Sequence, residues 1–377
     1  MINFVSNLPK DLWTGGFSAM NAAAFSVISN FQPTHYVGPL NPPSVLWEKA
    51  VSKGRRLAGL PGSFFFFSQR RLACIAKQFE SHCRSDACLD FFHGFTPWIL
   101  TKPKRPYMAW SDCTFQDYVS IYCRQEQFEP HDLQRIAETE AAWLQNADRI
   151  LFTSEWGARR AITHYGLKPT QVATVGIFGN IEAPTRDLYD GGRDFVFVST
   201  NFEAKGGWVV LSAFRKVRAH YPGTTLTIIG DHPSGIRTEP GLTWTGVLRK
   251  ECEQERERFQ RILGRARALV YPTKCDIVPL LIVEAGYFGC PVITTRRFAI
   301  PELVDHARTG LLLDDPSQVN ALVQAMCWML EADEEYLRMR HTVRETALEW
   351  HSKAEFDRRL RTSIGGILST ERTLSVQ

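Results

Sequence analysis

Short apolar runs alternate with long helical patterns along most of the chain, and this alternation constrains the fold more than any other feature. Strand-like runs occupy residues 2–5, 89–92, 107–110, 149–153, 195–199, 224–229, 268–271 and 291–294. Helical patterns occupy residues 131–146, 208–220, 249–264 and 316–332. Strands that alternate with helices in this way form parallel sheets covered by helices. The sequence therefore predicts the α/β class.

The chain is long enough for two such sheets. Its 377 residues exceed the ~150 residues of an average domain about twofold. Residues 180–194 are rich in glycine, proline and acidic residues and poor in apolar ones, which is typical of a linker. We predict an N-terminal domain at 1–180 and a C-terminal domain at 181–350, and leave open whether a helix near 350–377 packs back on the first. Two doubly wound domains that face each other imply a cleft lined by the carboxyl ends of their strands.

Charge and cysteine content limit the partners and the compartment. The 44 basic and 40 acidic residues leave a net charge of +4 without a long block of one sign, so nucleic acid is not an expected partner. Nine scattered cysteines suit free thiols in a reducing compartment, which favours a cytoplasmic location.

No apolar run reaches the ~18 residues that a membrane-spanning helix needs. Residues 62–77 place Phe64 to Phe67 beside Arg70, Arg71 and Lys77, so peripheral contact at the inner membrane surface stays open beside the simpler interpretation, a core-packing helix.

The segment from Tyr271 to Thr294 carries the most chemical information. It is typical of a strand, a loop, a short helix, a turn and a second strand, with Pro279 in the first turn of the helix and Gly289 at its end. Asp276 then lies in the loop before the helix, and Glu284 lies about one turn inside it. The amides at a helix N-terminus favour phosphate. Spacing alone equally allows Asp276 to be a plain loop acid and Glu284 a surface residue.

Asp276 and Glu284, with seven residues between them, resemble the acid-x7-Glu motif of the retaining glycosyltransferases of family 4, which have the GT-B architecture. Further similarities to that family follow its order over residues 1 to 330. They are the glycine loop at Gly15 and Gly16, the segment 147–162, the sequence VSTNFEAKGG with Lys205, the glycines Gly230 and Gly246, and the tail AIPELVDHARTGLLLDD.

The resemblance implies a role for each matching residue. Glu284 would accept hydrogen bonds from the ribose hydroxyls of a nucleotide-sugar, and Asp276 would hold a hydroxyl of the transferred sugar. Lys205 would neutralise the leaving diphosphate. The donor would also be contacted by Gly15, Gly16, Thr200, Gly230, Gly246, Val278, Pro279 and Leu280.

The sequence departs from the family pattern at two of these positions. Asp276 stands where the family usually has glutamate, and Thr200 stands where an arginine is common. Either another cation compensates, with Arg237, Arg249 and Lys250 as candidates, or the enzyme is slow or degenerate. The family also places a histidine near the donor sugar in the N-terminal domain, and the two candidates for that position are His93 and Asp112.

The resemblance implies a metal-independent enzyme of carbohydrate biosynthesis. It would move a hexosyl group from a UDP-, GDP- or ADP-sugar to a hydroxyl of a saccharide or a lipid-linked acceptor, with retention and without a cofactor. Two alternatives stay open: a nucleotide-sugar epimerase of related architecture, and a nucleotide-sugar-binding protein with a degenerate site. No Asp-x-Asp metal motif occurs. The Cys/His group at His82, Cys83, Cys88 and His93 lacks the paired spacing of zinc sites.

Overall fold

The computed structural model describes residues 1–13, 15–233, 235–236 and 239–374. The chain divides into two compact units. Unit 1 comprises Met1–Gly176 and the residues from Phe356 onward, and unit 2 comprises Ile177–Glu355. The sequence placed the corresponding boundaries at 180 and about 350.

Unit 1 is a parallel six-stranded sheet with the strand order β2-β1-β3-β4-β5-β6. Its strands are β1 (Ile2–Val5), β2 (Thr34–Val37), β3 (Leu89–His93), β4 (Tyr107–Ser111), β5 (Arg149–Phe152) and β6 (Val172–Thr174). Its helices are α1 (Gly16–Ser29), α2 (Leu46–Leu57), α3 (Gln69–His82), α4 (Phe115–Tyr122), α5 (Pro130–Gln145) and α6 (Glu155–Tyr165), with most of the final helix α13 (Lys353–Leu374).

The central strands of unit 1 are rich in apolar residues, with Asn3, Asp90, His93 and Ser111 as their polar members. Every residue of β1, β3 and β4 is buried, as expected for parallel strands covered on both faces. The final helix belongs to this core, since Phe356 packs on Trp110 with ring centroids 5.6 Å apart.

The segment 62–77 is part of the same core. Phe64 and Phe67 are buried and stack at 5.5 Å between ring centroids. Arg71 is also buried, and its guanidinium donates to the carbonyls of Pro42 and Phe66. Phe64, Phe67 and Arg71 therefore follow the core-packing interpretation, whereas Phe66, Arg70 and Lys77 are exposed.

Unit 2 has a second parallel sheet with the order β12-β11-β10-β7-β8-β9. Its strands are β7 (Asp194–Ser199), β8 (Thr225–Gly230), β9 (Leu242–Gly246), β10 (Ala268–Tyr271), β11 (Val292–Thr295) and β12 (Gly310–Leu313). Its helices are α7 (Gly207–His220), α8 (Glu253–Arg265), α9 (Leu280–Tyr287), α10 (Ile300–Leu303), α11 (Val319–Glu331) and α12 (Asp333–Trp350). Counted from its first strand, this is the 3-2-1-4-5-6 order of doubly wound nucleotide-binding domains.

The predicted α/β class is confirmed in both units. Among the described residues, no helix combines the length and the apolar character needed to cross a membrane.

Candidate active site

The strand order of unit 2 marks one place where a ligand is expected. The chain winds away from β7 in one direction and away from β10 in the other, and such sheets bind ligands at the carboxyl ends of the two strands where the winding reverses. The loops that follow these strands span residues 200–206 and 272–279. They touch each other, because the amide of Lys274 donates to the carbonyl of Ala204 at 3.0 Å.

Lys205 and Asp276 form an ion pair across these two loops. The Lys205 Nζ lies 2.7 Å from the Asp276 Oδ2, and it also donates to the Cys275 carbonyl at 2.9 Å. The Tyr271 hydroxyl donates to the same Asp276 oxygen at 2.5 Å. The Lys205 and Asp276 side chains are 17% and 22% exposed, so both are held in place yet open to a ligand. An ammonium has three donors, and these contacts leave one for a ligand oxygen.

Glu284 lies in α9 and is 1% exposed. Both of its oxygens lie 2.5 Å from the Lys250 Nζ, and the Asn180 amide donates to Oε1 at 3.0 Å. The Asn180 backbone comes this close because Gly179 has no side chain: a Cβ there would lie 2.8 Å from the Glu284 Cγ. A buried carboxylate is costly unless it is paired and hydrogen-bonded, as this one is. The interpretation of Glu284 as a surface residue is excluded.

Of the three candidate compensating cations, the structure brings Lys250 to the site. Arg249 instead pairs with Glu255 at 2.8 Å and is 71% exposed. Arg237 lies outside the described residues. Thr200 is exposed and follows β7 directly. The sequence named Lys250 as one of three candidates, but it contained no signal that this lysine pairs with Glu284.

The start of α9 supplies backbone donors beside these side chains. Pro279 is the residue before the helix rather than part of its first turn, which corrects the predicted helix start by one position. The helix begins at Leu280, where the first N–H groups have no intrahelical partner. Val278 and Leu280 are half-buried. The helix amides are therefore placed to meet an anion near Asp276.

Two of the predicted glycines, Gly230 and Gly15, are required by the backbone conformation at their positions. Gly230 has φ 126°, and a Cβ there would lie 1.8 Å from the Ser199 carbonyl oxygen on the neighbouring strand, so no other residue fits. Gly15 has φ 74°, but a Cβ there would meet no atom within 4 Å. Gly15 is thus required for backbone conformation rather than for close packing within the protein, and Gly16 begins α1. Gly246 ends β9.

His93 and Asp112 follow the carboxyl ends of neighbouring strands in unit 1, as predicted. His93 ends β3 and is 1% exposed, with its ring 4.2 Å from that of Phe17 and 5.3 Å from that of Trp110 between centroids. Burial lowers the pKa of His93 to about 3, so the imidazole is neutral near pH 7. Its Nδ1 is buried without a hydrogen-bond partner in the described part of the chain. Burial also raises the pKa of Asp112, and hydrogen bonds with Cys113 and Ser111 offset only part of this increase.

The structure adds a buried acid that the sequence did not reveal. Glu140 is fully buried on α5 and accepts hydrogen bonds from the Thr96 hydroxyl at 2.5 Å, the Phe115 amide at 2.5 Å and the Tyr165 hydroxyl at 3.1 Å. Burial raises its pKa to about 7. Thr96 follows β3 and Phe115 is the first residue of α4, so Glu140 links the two segments that follow His93 and Asp112. A lone acid in an amphipathic helix gives no sequence signal for such a role.

Solved structures that are similar over the whole chain share one fold. The sucrose-phosphate synthase of Thermosynechococcus elongatus is 15% identical, with a TM-score of 0.69 over 98% of this chain and 99% of that one. The HepE protein of Anabaena, solved with UDP-glucose, is 11% identical, with a TM-score of 0.64 over 97% of this chain and 100% of that one. The fold is that of the GT-B glycosyltransferases, as the sequence predicted.

Sequence comparison gives a family match for unit 2. Residues 192–332 match the family model described as glycosyl transferases group 1, and this range contains Lys205, Lys250, Asp276 and Glu284. The D-inositol 3-phosphate glycosyltransferases of Corynebacterium kroppenstedtii and Corynebacterium glutamicum are 24% and 25% identical over alignments of 219 and 236 residues, and the alignments cover 52% and 55% of this chain. The matched regions cover 48% and 54% of those proteins, so the chain spans about half the length of the curated relatives it matches.

Proposed function

We propose that the protein is a retaining glycosyltransferase that moves a hexosyl group from a nucleotide-diphosphate sugar to a hydroxyl acceptor. The observation that carries the proposal is the pair of ion pairs, Lys205 with Asp276 and Lys250 with Glu284, around the loops where the winding of unit 2 reverses. Two cations and the first amides of α9 suit a diphosphate. Two carboxylates suit the hydroxyl groups of a sugar and a ribose.

Glu284 accepts hydrogen bonds from the ribose in this proposal. A carboxylate has about four lone-pair positions, and Lys250 together with the Asn180 amide occupies three of them in the free protein. A ribose hydroxyl takes the remaining position or displaces the ammonium toward the phosphates. When the ammonium is displaced, Lys250 supplies the second positive charge that the uncharged Thr200 does not.

Lys205 acts on the reaction itself. The bond between the anomeric carbon and the diphosphate oxygen breaks, and the acceptor oxygen bonds to the same face of that carbon. The acceptor proton passes to the departing phosphate. Negative charge grows on the diphosphate during this step, so an ammonium beside it stabilises the transition state more than the bound donor. The reaction needs neither a metal ion nor a protein nucleophile.

Unit 1 binds the acceptor, a saccharide or a lipid-linked alcohol. His93 is proposed to act from within unit 1 as a buried, neutral imidazole that holds the carboxyl end of β3 in place, and Asp112 to contact a hydroxyl of the acceptor. The nine free cysteines are in keeping with the cytoplasmic location that we propose for the enzyme.

Thermal unfolding with UDP-, GDP- and ADP-sugars tests donor binding. A donor at a hundred times its dissociation constant stabilises the native state by ~2.7 kcal/mol, which a melting curve resolves. We expect one of the nucleotide-sugars to raise the melting temperatures of the wild type and of Lys274→Met. The same nucleotide-sugar should leave the melting temperature of Lys205→Met unchanged. Lys274 is a matched control because it is an exposed lysine in the adjoining loop, residues 272–279. The absence of a shift with every sugar would refute the donor site.

A product assay separates the competing functions. A transferase releases nucleoside diphosphate in proportion to glycosylated acceptor, and it retains activity after chelation. An isomerised sugar formed without an acceptor would identify an epimerase. Donor binding with neither transfer nor donor hydrolysis would identify a binding protein. Loss of activity on chelation, restored by a divalent ion, would overturn the metal-independent mechanism.

A further inference from the structure

Helix α2 is attached to unit 1 in an unusual way. Ser52 is the single buried residue among its twelve. The helix is held by polar contacts to the segment after it: the Ser52 hydroxyl donates to the Ser63 carbonyl at 2.9 Å, and the Arg55 Nε donates to the Pro61 carbonyl at 2.8 Å. A surface helix normally buries its apolar face against the core, and α2 does not.

The apolar residues of α2 point away from the protein. Leu46, Trp47, Val51 and Leu57 are 82%, 55%, 53% and 91% exposed. At ~100° per residue, these four side chains fall within an arc of about 140°, and Ser52 lies about 170° from the middle of that arc. The face that contacts unit 1 is therefore opposite the apolar face. Chance exposure of single apolar residues is common, but a complete outward apolar face on one helix is not.

Basic residues border this apolar face. Lys49 and Lys53 lie on one side of the arc, and Arg55, on the other side, is paired with Glu129 at 3.0 Å. The helix itself carries four basic residues against one acidic residue, Glu48, a net charge of +3. Arg70, on the neighbouring helix α3, stacks over the Trp47 ring at 5.2 Å. An outward apolar face with a tryptophan and basic flanks is complementary to an anionic lipid surface, where the apolar side chains enter the acyl boundary and the cations meet the headgroups.

We propose that α2 docks unit 1 on an anionic membrane surface. The apolar arc lies in the boundary between headgroups and acyl chains, and Lys49, Lys53 and Arg70 contact lipid phosphates. Binding then requires both the apolar side chains and the negative charge of the lipid. It is independent of the proposed sugar transfer, because no residue of α2 belongs to the candidate active site.

Vesicle flotation of the full chain tests this proposal. The probes are vesicles of phosphatidylcholine with 30% phosphatidylglycerol and vesicles of phosphatidylcholine alone, at low and high salt. We expect the wild type to float with the anionic vesicles and to be released by salt. Trp47→Ser/Leu57→Ser should lower the partition coefficient at least tenfold, and Lys49→Gln/Lys53→Gln should lower it on anionic vesicles and weaken the salt effect.

The matched control is Trp350→Ser/Leu337→Ser, which makes the same changes at helical side chains that are 52% and 55% exposed. This variant should float like the wild type. Equal flotation of the wild type and Trp47→Ser/Leu57→Ser, or no preference for anionic vesicles, would overturn the proposal. So would sedimentation that shows a dimer abolished by Trp47→Ser/Leu57→Ser while vesicles remain unbound, because α2 would then be a protein interface. Unchanged melting temperatures confirm that the variants are folded.

Discussion

Replacement of Lys250 by methionine isolates the ion pair at Glu284. Methionine keeps an unbranched side chain near Phe259, whose ring centroid lies 5.0 Å from the Lys250 Nζ, and removes the charge. Loss of one partner of a buried ion pair typically costs 3–5 kcal/mol. Glu284 is 1% exposed, but Lys250 is 27% exposed and the Asn180 amide still donates to the carboxylate. We therefore expect the lower end of that range, ~3 kcal/mol.

Calorimetric melting of unit 2 measures this loss. For a unit of this size, residues 177–355, each 1 kcal/mol moves the midpoint by ~2–4 °C, so Lys250→Met should lower it by ~6–12 °C. The matched control is Arg249→Met, which breaks the neighbouring exposed pair with Glu255 and should move the midpoint far less.

A second variant separates charge from packing. Lys250→Met/Glu284→Gln removes both charges, keeps an acceptor for the Asn180 amide and should recover most of the lost stability. Equal midpoints for Lys250→Met and Arg249→Met would refute the reasoning, because Glu284 would then not depend on Lys250 in solution.

Three further outcomes follow from residues at the strand ends. Gly230→Ala should destabilise unit 2 by about 3 kcal/mol or more in urea unfolding, because its Cβ would meet the Ser199 carbonyl at 1.8 Å, whereas Gly223→Ala, where a Cβ meets nothing within 4 Å, should have little effect. His93 contributes to stability fully above its unfolded-state pKa of ~6.5 and loses that contribution as the pH falls toward its folded pKa of about 3. The free energy of unfolding of the wild type minus that of His93→Gln should therefore fall by about 2 kcal/mol between pH 7.5 and pH 5. A difference that stays constant with pH would contradict the burial of a neutral imidazole. Asp112→Asn should lower turnover with little change in donor affinity, and a lower melting temperature with normal turnover per folded molecule would assign Asp112 to the core instead.

The parts of the fold that the sequence predicted are the interiors of the two sheets. The four strands without a predicted counterpart are β2, β6, β9 and β12, and each lies at an edge of its sheet. Three of them are only partly buried, so their sequences mix polar and apolar residues and resemble loops. Central strands are buried on both faces and form continuous apolar runs, which a single sequence shows clearly.

The candidate site also contains residues that the local sequence predicted and one contact that it did not. Local spacing placed Asp276 and Glu284 around α9, and the position of Lys205 followed from the separate resemblance of the sequence VSTNFEAKGG to the family. The pairing of Lys250 with Glu284 joins residues 34 positions apart, and nothing in the local sequence of Lys250 indicates it. Long-range contacts of this kind depend on where the loops lie in three dimensions, and one sequence without the fold does not contain that information.

The route of the chain also has a consequence for how the protein is made. Unit 2 is a continuous segment, Ile177–Glu355, inserted between the two parts of unit 1. During synthesis, all residues of unit 2 leave the ribosome before Phe356, which packs on Trp110 in unit 1. Unit 2 can therefore finish folding first, while the nascent N-terminal sheet keeps an apolar surface uncovered until the last helix arrives. A translation arrest or truncation before α13 would thus leave unit 1, the first part made, as the part exposed to chaperones and proteases.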